Sequence, residues 1–405
     1  MTKSFRFLWF GQSLANLGDS LYILAIITMI YRLTGSATLS ALVPVINLSA
    51  RLISGVLSPL LFQKFDLVHL LIFSQFGQTL GLALLSIWLM NFSSLVGLWF
   101  LLPLISFLDG WTVPARNSLV PRLVDEKILV KANGILSTTD QVLLLIGWSL
   151  GGILVVWLGS IPLLWLTVIF YLISSISLFF IKDPMQTIKS QTKPKQQKWQ
   201  SIKEGWSILL THPILKRLAL MDVFEYLAGT VWAGAIVLAF VEKVLHQDES
   251  WWGWINGAYF AGTILGGLLI IHLSNQLEPH LFKALWIGSL SMAIFTLFFA
   301  WNTIPILSLI LCVLMGPPYQ AREIAERTLL QQHTSMEDMP KVFSAYSTLG
   351  YTLFGLGVLI AGWIADHVHV QWVYMGATVL SGISGIIALT LRKITQYKGN
   401  DPRIL

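Results

Sequence analysis

Polar and ionisable side chains recur at helical spacing inside stretches that carry few others. Gln12, Asn16, Asp19 and Tyr22 lie four, three and three residues apart, so a helix sets them in one stripe. Ser40, Pro44, Asn47, Arg51, Ser54 and Ser58 repeat at four and three. Asp222, Glu225, Gly229 and Trp232 share a face in the same way. A charge in apolar surroundings is costly unless it is paired or wetted, which makes Asp19 and Arg51 partners if their helices are neighbours. Such a pair is either a fixed salt bridge or a proton-sensitive switch that alternates between internal pairing and contact with a solute. The spacing leaves both open. Two acids one turn apart, as Asp222 and Glu225 are, disfavour simultaneous ionisation. They suit proton carriage or a cationic solute, unless nearby Lys216 and Arg217 neutralise them at a membrane surface.

The elements that must position these groups follow from composition. Of 405 residues, 55% are hydrophobic and 11% charged, and the mean hydropathy is +0.71; soluble proteins are about 25% charged. A spanning helix needs about 20 apolar residues. Apolar runs give twelve spans, at 6 to 32, 38 to 62, 68 to 90, 94 to 115, 133 to 158, 161 to 181, 214 to 241, 251 to 273, 281 to 300, 303 to 321, 342 to 365 and 370 to 391. The expected fold is an all-α membrane protein, and little chain remains for a soluble catalytic domain. The single cysteine, Cys312, excludes an intrachain disulfide and paired-cysteine metal motifs. No nucleotide, zinc-hydrolase or nucleophile-elbow motif occurs, so no enzymatic activity, metal or cofactor is expected, and any transport draws on a gradient.

The net charge of +6 does not point to nucleic acid, because of where the cations sit. Of 26 Lys and Arg residues, all but Arg32, Lys243 and the mid-span Arg51 fall on one face of this topology. Cytoplasmic loops retain Lys and Arg, so both termini are expected inside, in a plasma membrane, or the inner membrane of a two-membrane source. The longest polar interval, 182–212, contains Lys189, Lys193 and Lys195 and divides residues 1–181 from 213–405, six spans each. Within it Trp199, Ile202, Trp206 and Leu209 recur at helical spacing, as expected of a helix on the membrane surface or of a plain solvated tether. A weak repeat aligns Gly55 to Asp66 with Gly267 to Glu278.

Asp109 and Asp140 fall near helix ends, as do Arg116, Arg322, Glu323 and Glu326. They suit a cytoplasmic gate of exchangeable ion pairs, or else solvation and headgroup contact. Trp111, Trp232 and Tyr259, with Gln12, Asn16, Tyr22 and Asn47, are candidates to line a cavity for a bulky amphipathic solute, with ordinary core packing as the alternative.

Several segments resemble the major facilitator superfamily, in particular its drug-antiporter branch with macrolide and siderophore (enterobactin) exporters. The resemblance rests on Phe7 to Ser13, Leu17-Gly-Asp19, Tyr31 to Ser36, and above all Pro114-Ala-Arg-Asn-Ser-Leu-Val-Pro-Arg-Leu-Val124 with Ala132-Asn-Gly134. It implies two pseudo-symmetric six-helix bundles working by alternating access, with efflux, antiport and multidrug resistance as the associated activities. The branch's helix-five signature G-x8-G-x3-G-P-x2-G-G retains Gly134, Gly147, Gly151 and Gly152, a helix-packing motif, while Leu143 replaces a glycine and Trp148 the proline. Gln63 stands where the loop after helix two carries an acid, and Ser106 where helix four carries an arginine. The expected function is proton-coupled export of a lipophilic or amphipathic small molecule by a monomer among membrane lipids. A lysophospholipid translocator of the same superfamily, and more remotely a non-transporting receptor or scaffold, are the alternatives.

Overall fold

The computed structural model describes residues 1–92, 94–185 and 198–398; the linker lysines Lys189, Lys193 and Lys195 lie outside the described residues. Among the described residues the helices group into twelve segments, of which ten are long and apolar enough to cross a membrane, or eleven with the bent pair of the seventh taken as one span. The first three are α1 (Lys3–Thr34), α2 (Ala37–Lys64) and α3 (Leu67–Asn91). The fourth is interrupted at Gly110 and consists of α4 (Val96–Asp109) and α5 (Thr112–Leu123). Next come α6 (Leu129–Leu158), α7 (Ser160–Phe179) and the shorter α8 (Lys198–Thr211) of the linker. The seventh span is α9 (Pro213–Gly229) and α10 (Gly234–Lys243), joined by a 3-10 turn and bent by 53°. The eighth is α11 (Ser250–His272), and a short α12 (Ser274–Leu277) leads into α13 (Leu281–Trp301). The last three are α14 (Pro305–Gln332), α15 (Met339–His367) and α16 (Val370–Lys398). No strand occurs among the described residues.

Helix limits follow local chemistry. Thr2 and Ser36 cap α1 and α2 through their hydroxyls, and Gly35, at φ 66°, ends α1 in the left-handed region that glycine adopts without penalty. Asp248, in the loop before α11, accepts from the hydroxyl and backbone N–H of Ser250, which holds its carboxyl below the usual carboxylate range. The break in span seven frees carbonyls that hydrocarbon cannot solvate. Tyr374 Oη donates to Val231 O at 3.1 Å and Trp252 Nε1 to Gly234 O at 3.0 Å.

Span ten departs from the sequence expectation. Its limit at 321 was set by the charges that follow, yet α14 runs on through Arg322, Glu323, Glu326 and Arg327. Each of these side chains has an ion-pair partner, so the charges do not terminate the helix. In the linker, α8 covers the stretch where Trp199, Ile202, Trp206 and Leu209 recur. It buries Ser201 and Gly205, lays Gly205 against the Lys341 carbonyl, and pairs Glu204 with Lys341 at 2.9 Å. Trp199 is left 70% exposed.

Contacts divide the chain into two compact units. The first comprises Met1–Glu126, Val142–Ser207 and Met336–Thr348; the second Lys127–Gln141, Ile208–Ser335 and the chain from Leu349 onward. The first has a core of α1, α3, α4 and α7 around Leu21, Ile26, Leu82, Leu102 and Leu163. In the second, Phe240, Phe299 and Tyr374 stack at ring separations of 4.7 to 5.2 Å, beside Cys312 and Met315.

Lipid offers little hydrophobic driving force for helix association, so close approach at small residues matters most. Gly262 and Gly266 of α11 lie against Val313, Gly316 and Pro317 of α14, where a Cβ would collide with backbone. Gly152 has nothing within 4 Å. Gly262→Ala is therefore expected to destabilise the protein by about 1 to 3 kcal/mol, and Gly152→Ala to leave it unchanged or slightly more stable. Thermal unfolding in detergent reads both; equal effects would contradict this packing account.

Candidate functional site

In the first unit, Arg51 stands between two acids. Its Nη2 lies 3.1 Å from Asp19 Oδ2 and 2.7 Å from Asp109 Oδ2. Tyr171 of α7 donates its hydroxyl to the other oxygen of Asp19. Two glycines make this geometry. A Cβ on Gly18 would strike the Tyr171 ring, which crosses α1 there, and one on Gly110 would strike Ser54 and the Arg51 carbonyl. The interruption at Gly110 thus presses span four onto α2 and delivers Asp109 to the guanidinium. A neutral extension follows: Asn47 Nδ2 donates to Tyr22 Oη and to Ser106 Oγ, each at 2.9 Å.

The second unit builds its cluster around Arg322 of α14. Nη2 bonds Asp222 and lies 2.9 Å from Glu326 Oε2, while Nε is 3.5 Å from Glu225 Oε1. Ser381 Oγ donates to Glu225 Oε2 at 3.4 Å. Farther along the same helices, at the break in span seven, Trp232 stacks on Tyr259 at 5.5 Å, and Tyr259 meets Tyr319 at 6.0 Å.

These placements sort the sequence candidates. Asp19 and Arg51 come together, as do Asp222 and Glu225, with Arg322 as the partner of the second pair in place of Lys216 or Arg217. Asp109, Arg322 and Glu326, expected among gating groups at helix ends, are part of the two clusters. Glu323 pairs with Arg327 at 2.7 Å. Arg116 is buried in α5 and Asp140 half-buried on α6. Gln12, Tyr22, Asn47 and Trp111 are buried within the first unit; Asn16, Trp232 and Tyr259 remain half-buried. Of the motif glycines, Gly147 and Gly151 face Ser20, Leu21 and Leu24 of α1, and Gly134 faces Ile271, whereas Gly152 packs against nothing. Tyr171 was not among the candidates, because a tyrosine within an apolar run gives no signal of its own.

Both clusters are chemically alike: a permanent cation surrounded by more carboxyl groups than it can neutralise. The family model for the Major Facilitator Superfamily matches residues 8–316 and 218–403. The chain belongs to that superfamily. It is similar over 389 residues to an uncharacterised transporter of this type, YfmI of Bacillus subtilis, at 34% identity with 95% of this chain and 96% of the relative covered. It is similar at 20% identity to the multidrug efflux pump Tap of Mycolicibacterium fortuitum, with 72% and 71% covered. Among solved structures it resembles a bacterial homologue of the iron transporter ferroportin in an outward-facing state, at TM-score 0.77, 13% identity and 96% and 99% coverage. It also resembles the E. coli fucose:proton symporter, at TM-score 0.76, 15% identity and 95% and 98% coverage. Superfamily membership makes the chain a multi-pass membrane transporter.

Removing one partner of a buried ion pair strands the other, at a cost of about 3 to 5 kcal/mol. Arg322→Met, which leaves three carboxyl groups facing one another, should sharply reduce the yield and unfolding temperature of purified protein. Arg327→Met, at a more exposed pair, should change either little. A comparable loss in both would show that the Arg322 cluster has no special energetic weight.

Proposed function

We propose that this chain is a secondary active exporter of lipophilic or amphipathic small molecules, working by alternating access in exchange for protons. The observation that carries the proposal is the surplus of acid around Arg51 and Arg322. With all carboxyl groups ionised, the first cluster bears one uncompensated negative charge and the second bears two. Surplus charge in a low-dielectric interior is neutralised by protons or by a cationic solute, and competition between the two is what couples one movement to the other. The half-buried stack of Trp232 and Tyr259, two to three turns from the second cluster along span seven, supplies apolar, π-rich surface suited to an amphipathic solute. The similarity to Tap multidrug efflux pumps supports export of drug-like molecules.

The remaining assignments belong to the same proposal. Residues 1–181 and 213–405 are the two pseudo-symmetric halves, and the charge census puts both termini in the cytoplasm of a cell whose plasma membrane holds a monomeric carrier. Asp19, Arg51, Asp222 and Glu225 couple protons or bind solute; Asp109 and Glu326 join them by position.

Purified protein in proteoliposomes, with an imposed pH gradient and a fluorescent lipophilic cation, tests this reading. Uptake should follow the gradient and collapse when it is dissipated. Asp19→Asn should lower gradient-driven flux at least ten-fold, while Asp222→Asn and Glu225→Gln should weaken cation transport more than they weaken expression. Movement of lysophospholipid that ignores the gradient would favour the lipid translocator. Flux and pH dependence unaltered in Asp19→Asn would remove the switch and leave Asp19 with Arg51 as a static bridge.

A further inference from the structure

At the bend in span seven the aromatic core of the second unit continues into a row of partly exposed rings. Trp232 lies in the 3-10 turn between α9 and α10. Its ring rests edge-on against Phe299 and Tyr374, at 5.2 and 6.0 Å, and both of these are fully buried. It also stacks on Tyr259 of α11 at 5.5 Å, and Tyr259 meets Tyr319 of α14 at 6.0 Å. Trp232, Tyr259 and Tyr319 are only half-buried.

A carboxylate stands at the end of this row. Glu323 lies one turn beyond Tyr319 on the same face of α14, and its charge acts on the hydroxyls of both Tyr319 and Tyr259. Arg327 takes one of its oxygens at 2.7 Å. The other, Oε2, is buried and accepts no hydrogen bond among the described residues. Gly229, one turn before Trp232, has no local reason to be glycine. Its φ of −63° is helical, where glycine is a poor choice, and a Cβ there would meet no heavy atom of the described residues within 4 Å. A larger side chain at this position would fill the space next to the Trp232 ring. All five residues belong to the second compact unit, so their arrangement is a property of that unit alone.

The faces of aromatic rings are the negative side of their quadrupole, and a buried carboxylate oxygen without a donor favours positive charge. Rings alone accept a neutral amphipath, whereas rings with a carboxylate select by sign. Aromatic faces beside a carboxylate suit alkylated ammonium groups in particular, because such a group presents charge and C–H surface together and needs no acceptor for an N–H. We propose that Gly229, Trp232, Tyr259, Tyr319 and Glu323 form a binding site for the alkylated ammonium group of an organic cation. Glu323 is its counter-ion, the three rings are its walls, and Gly229 keeps the space open. The part this site plays in a transport cycle rests on the export reading above, but binding is tested without transport.

Scintillation proximity reads the binding of radiolabelled tetraphenylphosphonium to purified protein in detergent, with benzyltrimethylammonium and its neutral isostere neopentylbenzene as competitors. Binding should be saturable and displaced by the ammonium compound but not by the isostere. Tyr319→Leu and Glu323→Gln should each raise Kd about ten-fold, while Tyr319→Phe, which keeps the ring, should bind as the parent does. Gly229→Leu should abolish saturable binding with the unfolding temperature preserved, since the new side chain enters open space. No saturable binding by the parent, equal displacement by the isostere, or parental affinity in both Gly229→Leu and Glu323→Gln would overturn the site. Binding as expected without gradient-driven flux of the cation in proteoliposomes would leave the site standing and remove the export reading. Gradient-driven flux in the parent, with parental affinity in Gly229→Leu and Glu323→Gln, would do the reverse.

Discussion

A guanidinium buried among the helices is the constraint around which a charge cluster forms in each compact unit. Arginine does not lose its charge in proteins, so an embedded arginine imposes a fixed requirement for anionic or hydrogen-bonding partners. Arg51 meets it with Asp19 and Asp109, and Arg322 with Asp222, Glu225 and Glu326. Arg51 of α2 thereby ties α1 and α4 together, and Arg322 ties α14 to α9 while also pairing with Glu326 on its own helix. The same electrostatics explain why α14 continues past Arg322: a helix carrying four ionised residues in two turns is unfavourable beside lipid and acceptable once those residues face carboxyl groups or each other.

Helix irregularity brings the charges within reach. The interruption at Gly110 and the small surface of Gly18 let span four and Tyr171 approach α2 and α1 closely enough to complete the first cluster. The second cluster lies two to three turns from the bend in span seven, whose freed carbonyls are met by Tyr374 and Trp252. Backbone breaks at membrane depth are tolerated only where protein or a wet pathway replaces lipid. Their occurrence in the same spans as the acids is what an ion or solute route would require.

Most of the helical layout was legible in the sequence, because a bilayer converts polarity into position. The stripes of α1 and α2 stood out because polar residues within apolar runs are rare, and they put Asp19 and Arg51 on facing elements. Other features depended on tertiary partners and left no local mark. Asp109 read as a helix end because Gly110 and Pro114 follow it, although the span resumes. The charges after Gln320 read as a terminus because their partners on α9 are about a hundred residues away. The helical stretch of the linker was legible, and Leu209 of its apolar stripe is buried, but the packing of Gly205 on the start of α15 left no local mark. Four motif glycines looked alike, and only their neighbours distinguish Gly147, which meets Ser20, from Gly152, which meets nothing.

The choice of arginine over lysine limits where a change of charge can occur. A buried lysine can shed its proton and become neutral, so a lysine cluster has two ways to lose charge. In an arginine cluster the change must occur at the carboxyl groups, which are balanced either by protons or by another cation. The planar guanidinium also presents five donors in a fixed fork, enough to remain bonded to one acid when another is released. Arg322, shared among three acids, can therefore stay in place while the composition around it changes, and Arg51 can do the same between two. Acids outnumber the guanidinium by one in the first unit and by two in the second, so the second has the greater need of a proton or another cation to balance it.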